Sequence, residues 1–245
     1  MKANQRLTLS SIIIGLSIGE VHGQQVLIDG FTQPGSSVAA VSTGPPADYM
    51  QIHQIGATDA LGGSRVLTAD LNRTLGALTF GTISASYSPG QVEFALSGYT
   101  SPDSLFNEAG LHYGLIFGEL NQNFPAVLGP SFQFRIDLAT PAVLTGLSSM
   151  SVRLNLASPG ASQTVNASIA NGDTSIVWDS SSFTNVNLAD VDFISVIALD
   201  SFRAGQGFSI SMFEFTAVPE PSTCILAAMG MSALTFYRRR VVRNT

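Results

Sequence analysis

Few side chains in this chain have the residue types and spacing of a catalytic or metal-binding site. The sequence has three histidines and one cysteine among 245 residues. Beyond residue 23 only His53 and His112 remain, and neither lies at ligand spacing from a second histidine or a cysteine, which argues against a zinc site. No Gly-x-Ser-x-Gly segment follows residue 23, so the turn that presents a hydrolase serine is missing. His112 lies in a strand-like stretch and is interpreted as an ordinary strand or turn side chain.

Paired carboxylates are the other route to catalysis, because glycoside hydrolases use two of them as acid and nucleophile. The candidates in the sequence are Glu93, Glu108, Glu119 and Glu214. Nothing in the flanking residues selects two of the four, and scattered surface glutamates are expected in an acidic protein. The sequence therefore predicts that the protein is not an enzyme, and a glycoside hydrolase is the least favoured alternative.

Two aspartates are the best candidates for binding a cation. Asp190 and Asp192 are two residues apart, and on a β-strand this spacing places both side chains on one face. Asn187 and Asp200 would add oxygen ligands of the kind that calcium prefers. No Asp-x-Asp-x-Asp-Gly loop accompanies them, and Asp192 could equally mark the solvent side of a strand. Calcium at Asp190 and Asp192 is kept as a hypothesis, and no other cofactor is expected.

The elements that would position these side chains are β-strands. Apolar and polar residues alternate along 132–138 (FQFRIDL) and 150–156 (MSVRLNL), as they do on half-buried antiparallel strands. The nearly continuous apolar run 192–199 predicts a central strand. Similar patterns predict further strands within 75–88, 91–99 and 207–217. The sequence thus predicts an all-β fold, an antiparallel β-sandwich of jelly-roll type.

Turn residues separate these strands. Ser-Pro-Gly at 88–90 and again at 158–160 predicts two of the turns. Asn171-Gly172 predicts a two-residue β-hairpin between the strands on either side. One helical turn is expected within 102–109. The segment Gly62-Gly63-Ser64-Arg65 lacks the spacing of a phosphate-binding loop, so it is interpreted as a turn followed by an edge strand that carries the arginine.

Composition limits the partners of this protein. Only 11% of the residues are charged, and Lys2 is the lone lysine. The whole chain has a formal net charge of −6, while residues 24–217 contain five arginines and fifteen carboxylates, a charge of about −10. Such a surface repels nucleic acid and anionic lipid, so neither is expected to bind this part of the chain.

The N-terminus has the three parts of a secretory signal peptide. Lys2 and Arg6 supply the positive start, 7–18 (LTLSSIIIGLSI) is the apolar core, and 21–23 is the predicted cleavage region. No cysteine follows the apolar core, which excludes a lipoprotein anchor. An uncleaved membrane anchor is the alternative, although twelve residues are few for a membrane span.

The C-terminus combines three features. Pro219-Glu220-Pro221 lacks two backbone donors and is extended, so a preceding sheet is expected to end there. The uncharged segment 224–237 (CILAAMGMSALTFY) would span roughly 21 Å as a helix, which is less than the ~30 Å of a hydrocarbon core. Arg238, Arg239 and Arg240 can reach the lipid head groups and extend that span. We therefore expect a membrane-inserted helix with its C-terminus in the cytoplasm, and a buried core helix is the alternative.

The order of these parts resembles the PEP-CTERM sorting signal of exported bacterial proteins. The resemblance covers about a tenth of the chain, from residue 218 to 240, and rests on Pro219-Glu220-Pro221, the apolar segment and the three arginines. It implies recognition by a membrane protease-transpeptidase of the exosortase type and removal of the helix and arginines. It also implies release or attachment of the remaining protein at the cell envelope, in organisms that make extracellular polysaccharide.

The chain is thus divided into a signal peptide (1–23), an exported β-sandwich (24–217) and a PEP-CTERM signal (218–245). The predicted role is structural or adhesive, in or near an extracellular matrix, with an exosortase-like enzyme as partner and the inner membrane holding the precursor. The alternative is a carbohydrate-binding module for extracellular polysaccharide, which would expose coplanar aromatic side chains. The aromatic candidates are Tyr49, Tyr87, Tyr99, Tyr113 and Trp178.

Overall fold

The computed structural model describes residues 25–32, 38–43, 49–57, 59–71, 81–98, 105–114 and 120–220. Within these residues the chain forms fourteen strands, one α-helix and two 3₁₀ turns. The strands are β1 (Val26–Asp29), β2 (Val38–Thr43), β3 (Tyr49–Gly56), β4 (Ser64–Leu71), β5 (Thr82–Ser88), β6 (Gln91–Ser97), β7 (Leu105–Tyr113), β8 (Phe132–Leu138), β9 (Val143–Thr145), β10 (Ser149–Ser158), β11 (Ala161–Ala170), β12 (Ser175–Asp179), β13 (Phe193–Phe202) and β14 (Gly207–Pro219). The helix is α1 (Phe124–Leu128), and the 3₁₀ turns are Leu61–Gly63 and Ser180–Ser182.

The strands form two antiparallel sheets that pack on a shared core. The first sheet has the order β12-β8-β14-β6-β5-β2, with β1 and β9 also paired to β14, and the second has the order β11-β10-β13-β7-β4-β3. The chain passes repeatedly from one sheet to the other, as in a jelly roll. The predicted all-β sandwich is confirmed. The central strand predicted at 192–199 is confirmed as β13, which lies between β10 and β7, and both Ser-Pro-Gly turns connect paired strands.

Alternate residues of the strands fill the space between the sheets. Phe132, Phe134 and Ile136 of β8 are fully buried, whereas the residues between them are partly exposed. Phe124 of α1 packs against the first two of these side chains, with ring centroids 5.8 and 5.2 Å apart. Burial of each such side chain stabilises the fold by about 1.5–3 kcal/mol.

β14 connects most of the first sheet. It is 13 residues long and pairs with β6 and β9 in its first half and with β8 and β1 in its second half. A register shift between Met212 and Glu214 marks a β-bulge, where Phe213 is 50% exposed. The strand ends at Pro219, which is opposite Phe132 of β8.

A buried ionic cluster ties β1 to the second sheet. The Nη2 atom of Arg65 lies 2.8 Å from Oδ1 of Asp29 and 2.6 Å from Oδ1 of Asp59, and the first two side chains are 0% exposed. Asp29 also accepts hydrogen bonds from the Tyr113 hydroxyl and the Phe31 backbone N–H, both at 2.9 Å. Burial raises the pKa of Asp29 to about 7, against the opposing effect of the nearby guanidinium.

The prediction that Arg65 lies on an edge strand is wrong. β4 is paired on both sides, with β3 and β7, and Arg65 shares its inward face with Leu67. Its guanidinium carbon lies 4.5 Å from the ring centroid of Tyr87 and 5.3 Å from that of Phe31, in the position of a cation–π contact. The two carboxylates and the two rings together explain how a cation is held in the core.

The prediction of a hairpin at Asn171-Gly172 is also wrong. β11 before this turn belongs to the second sheet, and β12 after it belongs to the first. The turn is held by the connection between β8 and β9, because Gly172 donates to the Ala142 carbonyl and Ala142 donates to the Asp173 carbonyl, both at 2.8 Å. The Asn171 side chain accepts from the Leu144 N–H at 3.0 Å. The turn therefore crosses between the sheets.

The helical turn expected within 102–109 is wrong for the residues that the structure describes. β7 begins at Leu105, and it buries Leu111 and Tyr113 in the core. The α-helix of the described residues is α1 instead, and the sequence did not predict it. The side chain of Asn123 accepts a hydrogen bond from a backbone N–H of its first turn and so acts as the N-cap.

Three predictions fall on residues outside the described ranges. These are the signal peptide at 1–23, the part of the predicted strand 75–88 before residue 81, and the apolar segment 224–237 with the arginines that follow it. Among the described residues, the structure contains no helix with the length and hydropathy of a membrane span.

Candidate functional site

The second sheet turns one side to the core and the other side away from it, and the latter is here called the outer face. Because side chains alternate along a strand, the residues between the core positions belong to this face. It comprises Thr68 and Asp70 of β4, Glu108, Gly110 and His112 of β7, Phe193, Ser195 and Ile197 of β13, and Arg153 and Asn155 of β10. Most of these side chains are polar, although the neighbouring core positions are apolar.

His112 is fixed at the centre of the outer face. Its Nε2 lies 2.8 Å from the Thr68 hydroxyl oxygen, and its Nδ1 lies 2.7 Å from the Ser195 hydroxyl oxygen. Its ring stacks on Phe193 with centroids 6.1 Å apart. A Cβ at Gly110 would collide with both His112 and Thr68, so the glycine makes room for this arrangement. Burial lowers the pKa of His112 to about 4, so the imidazole is neutral at neutral pH.

Charged groups lie further along the outer face. Burial raises the pKa of Glu108, the neighbouring Asp70 raises it further, and Arg153 opposes the shift. The Nε atom of Arg153 is buried and has no hydrogen-bond partner among the described residues. A buried donor without a partner is energetically costly.

A groove of about 490 Å³ opens at the end of the outer face where β10 and β11 meet. Its lining residues are Asn155, Ala157, Ser158, Gly160, Ala161, Ser162 and Phe193. The partly exposed ring of Phe193 supplies an apolar surface, while the Asn155 amide and the Ser162 hydroxyl can both donate and accept hydrogen bonds. This combination can bind a neutral, hydroxyl-rich ligand that has an apolar ring face.

The predicted glutamates do not all lie on one face. Glu93 and Glu214 lie on the outer side of the first sheet, whereas Glu108 lies on the outer face of the second. Glu93 accepts a hydrogen bond from the Ser209 hydroxyl at 2.7 Å. Glu119 is outside the described residues. Glu108 therefore cannot form a catalytic pair with Glu93 or Glu214, and the expectation that the protein is not an enzyme stays a prediction.

The predicted calcium ligands Asp190 and Asp192 lie before β13, so the argument that placed them on one strand face does not apply. Asp190 donates its N–H to the Asn187 carbonyl at 3.0 Å. Asp192 is 3% exposed, and one of its carboxylate oxygens has no hydrogen-bond partner within the described ranges. Those ranges contain no group of three or more His, Cys, Asp or Glu placed to hold a metal. Calcium at this pair stays a prediction.

The aromatic residues proposed for sugar stacking are mostly in the core. Tyr87, Tyr113 and Trp178 are at most 3% exposed, and the structure describes neither of the side chains of Tyr49 and Tyr99. Sequence reasoning missed Phe193, because the nearly continuous apolar run 192–199 predicted a central strand without distinguishing its two faces. Ser195, a polar residue in the middle of that run, was the available signal for a second face that is directed away from the core.

β14 carries the chain from the sandwich into the C-terminal signal. Ala217 is paired with both β1 and β8, and Pro219 is opposite Phe132. The N–H of Glu220 donates to the Ser131 carbonyl at 3.2 Å. The sheet therefore holds the first two residues of Pro-Glu-Pro in place.

Comparison with known proteins identifies the C-terminal segment. Residues 217–241 match the PEP-CTERM protein-sorting motif, so the resemblance seen in the sequence is confirmed. The motif indicates export and sorting to the cell envelope. No curated protein matches this sequence.

Several solved structures resemble the sandwich. One is a family 11 carbohydrate-binding module from Clostridium thermocellum, solved with a β-1,3-1,4-mixed-linked tetrasaccharide; it has 10% identity and a TM-score of 0.35, over 80% of this chain and 95% of the module. An exo-β-agarase has 12% identity and a TM-score of 0.36, over 81% of this chain and 25% of the agarase. Modules of a Clostridium thermocellum endo-1,4-β-D-xylanase have 10% identity and a TM-score of 0.30, over 80% of this chain and 27% of the xylanase chain. At these values the likenesses carry no argument about a ligand or an activity.

Proposed function

Because the chain carries a PEP-CTERM protein-sorting motif, we propose that it is an exported structural or adhesive protein of the cell envelope. The predicted leader directs export, the apolar segment with Arg238–Arg240 holds the precursor in the inner membrane, and an exosortase-like enzyme removes this tail. The released or attached sandwich then acts in or near the extracellular matrix. The observation that carries the proposal is the motif match at residues 217–241.

The geometry of β14 supports a particular cleavage position. Ala217 and Pro219 are part of a sheet, and a protease needs an extended substrate that is free of such pairing. The enzyme is therefore expected to act after Glu220, where pairing has ended. Only residues 221–223 separate Glu220 from the apolar segment, and fully extended they reach about 10–13 Å. The precursor would hold its folded sandwich close to the membrane surface.

Two epitopes test the sorting step, one inserted after residue 24 and one at the C-terminus. In cells with an active exosortase-like enzyme, the C-terminal epitope is expected to separate from the sandwich. Replacement of Glu220→Ala together with Pro221→Ala removes two of the three residues of Pro-Glu-Pro but keeps Pro219 in the strand, and should leave the epitopes joined. Pro141→Ala, in an exposed turn, is the matched control and should be processed like the wild type. Epitopes that stay joined in the wild type would refute processing.

Carbohydrate binding is the second candidate function, supported by the groove at Phe193. An aromatic ring next to amide and hydroxyl groups suits a neutral polysaccharide. The acidic charge of the domain disfavours an anionic one.

Retardation in native gels cast with neutral polysaccharides tests this binding. Phe193→Ala is expected to abolish the retardation, because a sugar ring loses its apolar stacking surface when the aromatic side chain is truncated. Phe213→Ala is the matched control, since this exposed phenylalanine lies on the bulge of the other sheet. Equal retardation of the two variants, or none for the wild type, would count against a sugar site in the groove.

A further inference from the structure

β11 is an edge strand with one open side. It pairs with β10 over ten residues, and no described strand pairs with its other side. Its side chains on the outer face are exposed, namely Ser162, Thr164, Asn166 and Ser168. An unpaired edge of this kind presents backbone N–H and C=O groups in the geometry that a further strand requires.

The usual protections of a sheet edge are missing from β11. Natural edges avoid pairing through charged side chains, prolines, bulges or short length. The sequence of β11, ASQTVNASIA, contains neither charge nor proline, and its pairing with β10 has no register shift. By contrast, the neighbouring edge strand β12 is only five residues long and ends with Asp179. β11 is thus long, regular and uncharged.

The inner side of β11 is fixed by its own domain. The Gln163 side chain donates to the Ser182 carbonyl at 2.8 Å and accepts from the Asn185 N–H at 2.7 Å. Val165 is partly buried and packs against the core. The strand is therefore ordered before a partner arrives, which reduces the entropic cost of pairing.

We propose that β11 pairs in the antiparallel sense with β11 of a second copy of this chain, which joins the second sheets of two molecules. Charge favours a second copy at this place. The chain has a net charge of −6, yet Arg153 is the lone charged residue from 138 to 172, so the β10–β11 hairpins of two copies approach with little repulsion. This inference goes beyond the proposed sorting role and does not depend on it.

The faces of the strand restrict the register of the pair. A two-fold axis through a residue keeps inner side chains opposite inner ones, whereas an axis between two residues would place the inner side chains opposite the outer ones. An axis at Val165 satisfies this rule and centres the pair on the strand. The opposed pairs are then Val165 with itself, Thr164 with Asn166, and Ser162 with Ser168. The central pair is β-branched and the outer pairs can hydrogen bond, as in stable sheets.

Disulfide cross-linking of the full-length protein tests the register. All variants carry Cys224→Ser, which removes the native cysteine. Val165→Cys is expected to give a covalent dimer on mild oxidation, because directly opposed residues have Cβ atoms about 4.5–5.5 Å apart. Thr145→Cys, exposed on β9 of the other sheet, is the matched control and should remain monomeric. Equal cross-linking of the two variants, or none at Val165→Cys, would overturn the proposal.

A charge exchange tests the pairing independently of folding. Thr164→Lys with Asn166→Lys places like charges opposite each other in the pair, and so does Thr164→Glu with Asn166→Glu. Each double variant is expected to reduce co-purification of two differently tagged full-length copies by about tenfold. Co-expression of the basic variant with the acidic variant should restore co-purification of the two copies, which misfolded proteins could not do. Undiminished self-association of either variant, or a mixed pair no stronger than the variants alone, would contradict the inference.

Discussion

Replacement of Asp29→Asn tests whether the buried cluster holds an additional proton. The side chain of Asp29 is fully buried, and the Arg65 guanidinium beside it also contacts Asp59. Burial therefore raises the pKa of Asp29 from 3.8 to about 7. The amide keeps the shape of the carboxyl group but has no proton to release.

The sign and size of the effect follow from proton linkage. Between about pH 4 and 7 the folded protein keeps the Asp29 proton, which the unfolded chain has already released. The free energy of unfolding contributed by this group therefore falls as pH rises through that window. Since a tenfold change in proton affinity is worth about 1.4 kcal/mol, the full difference is about 4 kcal/mol. Asp29→Asn should thus gain about this much stability relative to the wild type from pH 4 to above pH 7.

Urea unfolding, followed by the fluorescence of the buried Trp178 between about pH 4 and 8, measures this difference. Thr145→Ser, at an exposed position of β9, changes no ionisable group and is the control, so it should leave the pH profile parallel to that of the wild type. If Arg65 instead held Asp29 charged throughout this range, the folded and unfolded chains would bind the same number of protons at this group above about pH 4. Asp29→Asn would then be less stable than the wild type by a constant amount, and such parallel profiles between about pH 4 and 8 would refute the reasoning.

Three further predictions concern local packing. His112 contributes a free energy of unfolding that rises between about pH 4 and 6.5, because its pKa is about 4 in the folded protein and 6.5 ordinarily. The His112→Gln variant should lose this contribution, and unfolding titrations against pH would show a flatter profile. Gly110→Ala should destabilise the protein by about 1–3 kcal/mol in urea unfolding, since its methyl group collides with Thr68 and His112, and an unchanged midpoint would contradict the outer-face geometry. Asn123→Ala should cost about 1 kcal/mol through the lost cap of α1, whereas Asn123→Asp should retain the cap and most of the stability.

The sequence predicts the strands best where one face is exposed to solvent and the other is buried. β8 occupies the predicted range 132–138, because its alternation reports burial directly. The Ser-Pro-Gly turns were also predicted correctly, since proline and glycine restrict the backbone locally. Asn171-Gly172 shows the limit of such reasoning. Turn residues specify a bend, but the choice of sheet for the next strand depends on β8, which is distant in the sequence.

The buried cluster and the outer face depend on contacts between distant segments. Arg65 lies 36 residues from Asp29, and its neighbours on β4 are apolar on both faces, so periodicity could not assign it to the core. The outer face could not be predicted from the sequence for a related reason. Phe193 belongs to a nearly continuous apolar run, and only the register of β13 with β10 places its ring beside Asn155 and Ala157.

The end of β14 explains how a sheet can finish inside a sorting motif. Among the described residues, β1 pairs with β14 only as far as Ala217, and no described strand pairs with that side of β14 beyond it. Pro219 has no N–H to donate, and a position at the end of a strand with one open side is where a sheet accepts it. A cut after Glu220 would preserve every pair of β14, whereas a cut before Ala217 would remove residues that β1 and β8 both hold. The fold thus favours a processed protein that keeps its last strand intact.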